Sequence, residues 1–415
     1  MARCLPALSI AIVVAMTTAV GCAHRGDRPL RNTSGGRSAS RSMLALPPIE
    51  RGKISVEPGV ATSQGELLPP PSHPYVALSA AECQCLAARN SMLGNLLDEE
   101  KNAVCCDDVK HCSQASHHAL QRIKDAAARE ARNKSAGDAL KLYFGLAEVE
   151  SGLDALDDTA AVIDDVLAKA AEIKRNELQV PFDRTEFERQ RLTIESQRAE
   201  LEAKRATMNA QLYSLLGVTA QPDAYFWPTE ALRPTTAPPN VENEIAYAMS
   251  ARPELVALNQ LAADGTTPAD VIAELLGNTH GLLGIKAKLA TLKLHKTLSG
   301  GSDCEPCTRQ NQLAQLYAAR REQIAGDVRA AVVTLEARRR QAALAEKQVA
   351  SWDVRLSQLE ELRTTGEASF VDLALAKIKR IEAQQALVSA VAAWKRAEVE
   401  LHQHEGALEA ECRGF

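Results

Sequence analysis

Aromatic residues are scarce in this chain, only 4 % of its 415 positions. Membrane β-barrels usually carry aromatic girdles at both interfaces, so this scarcity argues against a large barrel. Beyond the first 22 residues no apolar run approaches the ~20 residues of a membrane-spanning helix. A strong charge of either sign is also missing. The net charge is −5, with basic and acidic residues interleaved as on solvated helix faces, which gives no footing for a nucleic-acid partner. Nor is there a Gly-rich phosphate loop or a catalytic constellation. Serines fall in caps and linkers, and the pairs Asp157-Asp158 and Asp164-Asp165 fall on the outer face of a coiled coil. No enzyme activity and no cofactor is implied.

What the chain does have is a repeat. Leu142, Leu146, Val149, Leu153, Leu156, Ala160, Ile163, Leu167 and Ala170 advance by alternating fours and threes. An offset of 189 residues carries them onto Ala331, Leu335, Arg338, Ala342, Ala345, Val349, Trp352, Leu356 and Leu359, apolar at all but Arg338. The same offset carries Asp183 onto Asp372, Arg191 onto Arg380, Ala203 onto Ala392, Leu212 onto Leu401 and Gly217 onto Gly406. A 4-3 spacing keeps one apolar stripe facing a partner helix and is the coiled-coil seam. The expected fold is all-α: two tandem repeats of long antiparallel coiled-coil helical hairpins, with little or no β-barrel.

The N-terminus reads as an export signal. Arg3 supplies the positive charge, Leu5 to Val20 the apolar core, and Ala19-Val20-Gly21-Cys22 resembles a lipobox. Residues 1–22 are therefore expected to be a lipoprotein signal peptide, with Cys22 lipidated by palmitate-type chains. Ala23, not Asp, follows it, which in enteric bacteria directs a lipoprotein to the outer membrane, where the chain would face the periplasm.

Residues 23–75, rich in Pro, Ser and Gly, read as a disordered linker. The first repeat spans 76–217. Ser79 is its opening N-cap with Glu82 three residues on, a long helix runs from about Ala119 to Asn176, and a turn through Pro181 precedes the return helix. Phe187, Ile194, Leu201, Met208 and Leu215 recur in that helix every seven residues, and Gly217 caps its end. A Pro-rich linker occupies 218–240, the second repeat 241–408, and a tail 409–415. In the second repeat helices cover Gln310 to Leu362 and Phe370 to His404, about the turn Thr364-Thr365-Gly366.

This arrangement resembles the TolC-like outer membrane efflux family. Arg252-Pro253-Glu254-Leu255 is similar to that family's opening of its second repeat. Gly366-Glu367-Ala368-Ser369-Phe370-Val371-Asp372-Leu373 is similar to its second hairpin tip, and Leu215-Leu216-Gly217 to the end of its first repeat. The resemblance spans about Ser79 to Leu408. It implies the outer-membrane component of a tripartite efflux or secretion system, a passive conduit working as a homotrimer with a periplasmic adaptor protein and an inner-membrane pump. It also implies that the tips, here Pro181, Asp183, Gly366, Ser369, Phe370 and Asp372, gate the tunnel and dock the adaptor. A tight helix–helix turn, with Gly366 supplying backbone freedom, accounts for the same residues without any docking role.

One departure stands out. Each repeat of the family contributes a membrane hairpin, and a membrane strand needs ~9–11 alternating residues. The stretches where such hairpins belong, near Cys105 to Ser116 and Leu298 to Thr308, are polar, do not alternate and lack room for two strands. The alternative is thus a non-conducting periplasmic scaffold or spacer lipoprotein derived from the same family.

Eight of the ten cysteines remain once Cys4 and Cys22 are set aside. In an exported chain Cys83, Cys85, Cys105, Cys106, Cys112, Cys304 and Cys307 are candidate disulfides, with Cys412 near the end and the pairing open. Pseudo-symmetric halves would bring the 105–112 and 304–307 clusters together. The competing reading is a metal-binding protein built on His111, Cys112, His117 and His118.

Overall fold

The computed structural model describes residues 75–103, 114–176, 182–219, 225–230, 232, 239–263 and 305–412. The first repeat comprises β1 (Tyr75–Leu78), α1 (Ala80–Arg89), α2 (Met92–Ala103), α3 (Gln114–Arg175) and α4 (Arg184–Leu216). The second comprises β2 (Tyr225–Pro228), α5 (Val241–Ala251), α6 (Pro253–Ala263), α7 (Glu305–Thr364) and α8 (Phe370–Glu405), and a last short helix, α9 (Ala407–Glu411), follows. The fold is all-α, as the periodicity requires. No barrel is present among the described residues, and no described helix is long and apolar enough to cross a membrane.

The long helices form where the 4-3 seam runs. α3 has 62 residues and α7 has 60, so each is roughly 90 Å long at ~1.5 Å per residue. Each folds back on its return helix. α3 also packs along α8, so the four lie side by side in the order α4, α3, α8, α7. Leu146, Val149, Leu153, Leu156, Ala160 and Ile163 are buried, and so are their mates Leu335, Ala342, Ala345 and Val349. Arg338, mate of Val149, points to solvent. Burying one such leucine or isoleucine contributes about 1.5–3 kcal/mol.

Glycine ends both return helices at repeat-related positions. Gly217 and Gly406 have φ of 63° and 74°, the left-handed cap geometry that only glycine reaches without strain. Ser79 and Glu82 make a reciprocal capping box at α1.

Two short strands border or occupy the stretches read as linkers: β1 begins at Tyr75, the last residue of the first, and β2 lies within the second. β1 and β2 pair in parallel, Tyr75 beside Tyr225 through Leu78 beside Pro228. Each strand has four residues, and Phe226 and Trp227 are buried. Asn209 fixes β2 onto α4, its Oδ1 accepting from Phe226 N–H at 2.7 Å. At the other end, part of the stretch read as a tail belongs to α9. Leu408 is buried, its N–H donates to Asn133 Oδ1 at 3.2 Å, and Cys412 is bonded to Cys85.

Candidate functional site: the hairpin tips and the buried ion cluster

At the first tip Asp183 caps α4, accepting from Thr185 N–H at 2.9 Å and from the Thr185 hydroxyl. These hydrogen bonds, the hydroxyl's first, hold the Asp183 carboxyl below the ordinary carboxylate range. Pro181 lies outside the described residues. At the second tip Gly366 sits at φ 82° and donates to Arg363 O at 3.1 Å, turning the chain out of α7. Ser369 caps α8: its hydroxyl accepts from Asp372 N–H at 3.1 Å, while the Asp372 carboxylate accepts from Ser369 N–H at 3.1 Å. The Ser369 hydroxyl, and then its N–H, hold the Asp372 carboxyl low. Asp372 is the mate of Asp183, yet the helix here starts one turn earlier, so the cap itself is Ser369.

The two tips meet through aromatic rings. Phe182 packs edge to face on Phe187 of its own hairpin, 5.6 Å between centroids, and on Phe370 of the other, at 5.5 Å. Lys169 stands over Phe370 with its Nζ 5.9 Å from the ring centre. Of the expected tip residues, Phe370 thus joins the two hairpins, while Asp183, Gly366, Ser369 and Asp372 shape the turns. Phe182 and Lys169 were not singled out from the sequence. A phenylalanine directly after a turn proline was the available signal for the first; for Lys169 there was none.

No protein-family model matches the sequence, and no curated protein does. Solved structures do match. The Campylobacter jejuni CmeC outer membrane channel aligns at a TM-score of 0.57 and 11 % identity over 79 % of this chain and 85 % of that one. The Neisseria gonorrhoeae MtrE outer membrane channel, in its open state, gives 0.55 and 12 % over 79 % of this chain and 89 % of that one. This is a TolC-like fold.

In this TolC-like chain the Arg-Pro-Glu-Leu stretch builds a buried ion cluster far from the tips. Arg252 and Glu254 are 4 % and 1 % exposed. Arg252 Nη1 donates to Glu130 Oε1 of α3 at 2.9 Å and to Glu254 Oε1 at 3.0 Å, and its Nε donates to His404 O of α8 at 2.6 Å. Arg320 Nη2 of α7 donates to the same Glu254 oxygen at 3.0 Å. Pro253 at the first position of α6 makes this possible, because it needs no N–H partner there and fixes the break between α5 and α6. One residue pair thereby ties together α3, α6, α7 and α8. Burial raises the Glu130 carboxyl to about 7 in spite of Arg252.

Two other buried carboxyls are raised. Glu150 reaches about 7 through burial, with Arg205 at 3.7 Å pulling the other way. Glu405 reaches about 8, first through burial and then through the carboxyls of Glu244 and Glu411 beside it. These groups shape stability and carry no visible chemistry. Among the described residues no three His, Cys, Asp or Glu side chains converge to hold a metal.

Cys85 and Cys412 form a disulfide, linking α1 to the end of the chain. Gln84 supports it, its Nε2 donating to Leu408 O at 2.9 Å and to Glu411 at 2.8 Å. Cys83, expected among the disulfides, is instead a free thiol, 0 % exposed in the apolar cluster of Tyr143, Leu146 and Leu212. Two residues along a helix turn a side chain to another face, so Cys83 points inward where Cys85 points at α9. Burial pushes its thiol pKa far up, which leaves it inert. Cys22, Cys105, Cys106, His111, Cys112 and Cys304 lie outside the described residues, as does the side chain of Cys307. His117 and His118 meet edge to face at 5.6 Å.

Proposed function

We propose that this chain is the outer-membrane component of a tripartite efflux or secretion system. Copies of it, three on the family pattern, assemble into a passive conduit anchored through a lipid on Cys22. A periplasmic adaptor docks at the hairpin tips and opens them, and an inner-membrane pump supplies the energy. The observation that carries this reading is the joining of two repeat-related hairpins, each built on a long helix of roughly 90 Å, at their tips by Phe182 and Phe370. In the proposed assembly, parting of this contact would open the conduit at that end. The fold shared with outer membrane channels supports the same reading.

The test is conductance of the purified full-length protein in planar bilayers, with the mass of the assembly measured on the same sample. Discrete openings from a homo-oligomer are the expected result. A lipidated, stable protein with no conductance sinks the conduit reading.

That outcome would favour a second reading, a non-conducting periplasmic scaffold of the same descent. One observation speaks for it. Only residues 104–113 lie between α2 and α3, whereas two membrane strands need roughly 18–22 residues.

A further inference from the structure

The end of α8 gathers three carboxyls from three helices. Ala248 of α5 and Leu401 of α8 pack in one apolar cluster. Glu244 comes four residues before Ala248 and Glu405 four residues after Leu401, so each lies one turn further along the same helix face. The packing that buries the apolar pair therefore sets the two acids near each other. Gly406, at φ 74°, then turns the chain straight into α9, which brings Glu411 beside them. Glu405 is 3 % exposed and Glu244 is half-buried, while Glu411 reaches solvent. The Glu244 carboxyl is within hydrogen-bond reach of Glu405. Tyr247 of α5 feels the same group: burial, and then all three carboxyls, push its phenol pKa up.

Among the described residues no basic side chain faces Glu405. Arg252, packed against Gly406, directs its donors to Glu130, Glu254 and the His404 carbonyl. From α3, Arg129 pairs with Glu409 and Lys141 donates to Gln403. From α7, Arg320 donates to Glu254, and Asp327 is a further acid, acting on His404. Glu405 is also the last residue of α8, where the carbonyl end of the helix disfavours a negative charge. Its Oε1 is buried and accepts no hydrogen bond. An ionised carboxylate has nothing to hold it there, whereas a protonated one can donate to Glu244. Burial first, then the neighbouring carboxyls, keep Glu405 protonated well above the ordinary carboxylate range.

We propose that Glu405 and Glu244 share one proton, acid to carboxylate, and that this proton latches α5 and α9 to the end of α8. When it is lost to water as pH rises, two anions face each other with Glu411 beside them, and α9 comes away from α8. The latch sits where the last helix of the chain meets the first repeat. Leu408 N–H donates to Asn133 of α3 at 3.2 Å, and Gln84 of α1 donates to Leu408 O at 2.9 Å. Proton loss therefore loosens the join between the repeats, while the Cys85–Cys412 bond keeps the end of the chain tethered. This latch stands whether or not the chain conducts.

The experiment follows protonated carboxyls of the full-length protein by infrared spectroscopy, and amide exchange of residues 407–411 by mass spectrometry, from pH 6 to pH 8.5. Glu405→Gln and Glu244→Gln are measured alongside, and both should keep the helix content of the unaltered chain. A carboxylic-acid band that titrates above pH 7 is expected, absent from Glu405→Gln and moved down by about one pH unit in Glu244→Gln. Exchange in residues 407–411 should be equal in the unaltered chain and Glu405→Gln at pH 6, and about tenfold faster in the unaltered chain at pH 8.5. Comparing the two at one pH removes the intrinsic pH dependence of exchange. A band that does not move in Glu244→Gln leaves burial as the whole cause and overturns the sharing. An exchange ratio that stays constant with pH overturns the latch. Arg413, which follows Cys412 and lies outside the described residues, is the cation nearest along the chain. Arg413→Ala should leave the band in place, and a band that moves up assigns Glu405 to an ion pair and overturns the proposal. A band removed by about 1 mM calcium gives the site to a metal ion and overturns it too.

Discussion

Arg191 on α4 reaches back across the first hairpin to Asp164 on α3 at 3.0 Å, and their mates 189 residues on, Arg380 and Asp353, make the same bridge across the second. The register of both hairpins is thus fixed at the same rung, about two to three turns in from each turn. Both pairs are partly exposed, so each contributes about 0.2–1 kcal/mol and weakens with salt. Asp164→Asn and Asp353→Asn should each lower the denaturation midpoint slightly, and the double variant should show the sum, since the rungs share no partner. Chemical denaturation at low and high salt checks this. A coupled loss would mean that the hairpins melt as one unit through these rungs.

The seam, both hairpins, the Ser79 capping box and the glycine caps at Gly217 and Gly406 were legible because each depends on residues within a few turns of one another. What needed the fold were long-range pairings. Tyr75 and Tyr225 become neighbours only once the repeats stand side by side, and four-residue strands leave little periodicity to read. Arg252 and Glu254 were legible as a motif, but their burial beneath α3 and α7 was not, because charged residues are normally taken for surface. The Cys85–Cys412 pairing joins residues 327 apart, and spacing alone cannot choose among pairings. At the tips the turn residues could be named in advance, whereas the Phe182–Phe370 contact depends on how two hairpins dock.

The tip aromatics give the second prediction. Phe187 is 4 % exposed, so Phe187→Ala should cost about 3–5 kcal/mol of stability. Phe182 and Phe370 are only partly buried, so truncating either should cost less, about 1–2 kcal/mol. If these two hold the tips shut, Phe182→Ala and Phe370→Ala should raise open probability in bilayers severalfold, with no more than that small loss of stability. Unchanged gating alongside a small stability loss would reduce the triad to hairpin packing.

Acidity is the third lever. Glu405 has a folded pKa near 8 against an ordinary value of 4.5, so the folded state keeps a proton that the unfolded chain has released. The stability gained from that proton is fully present below pH 4.5 and is lost as pH rises through about 8. Glu130 and Glu150, raised to about 7, act in the same direction. The protein should therefore be more stable at pH 5 than at pH 8. Glu405→Gln should be more stable than the unaltered chain at pH 8 by on the order of 1–3 kcal/mol and show a flatter pH profile. Thermal melts from pH 4.5 to 8.5 read both, and a melting temperature that climbs with pH would contradict the assignment.

Glu405 also bears on the disulfide, because Glu411, one of the carboxyls crowding it, lies one residue before Cys412. Removing the bond by Cys412→Ala should cost about 2–5 kcal/mol, as expected for a link that closes so long a loop. The cost should exceed that of Cys83→Ala, which removes one buried sulfur and leaves the bond intact. It should also grow with pH. As Glu405 ionises beside Glu244 and Glu411, repulsion drives α9 away from α8, and the disulfide together with Gln84 is what holds α9 to α1. Melts with and without reductant at pH 5.5 and pH 8.5 separate these effects. A reductant-induced drop that is larger at pH 8.5 is expected. An equal drop at both values would show that α9 stays docked through Leu408 and Asn133 alone.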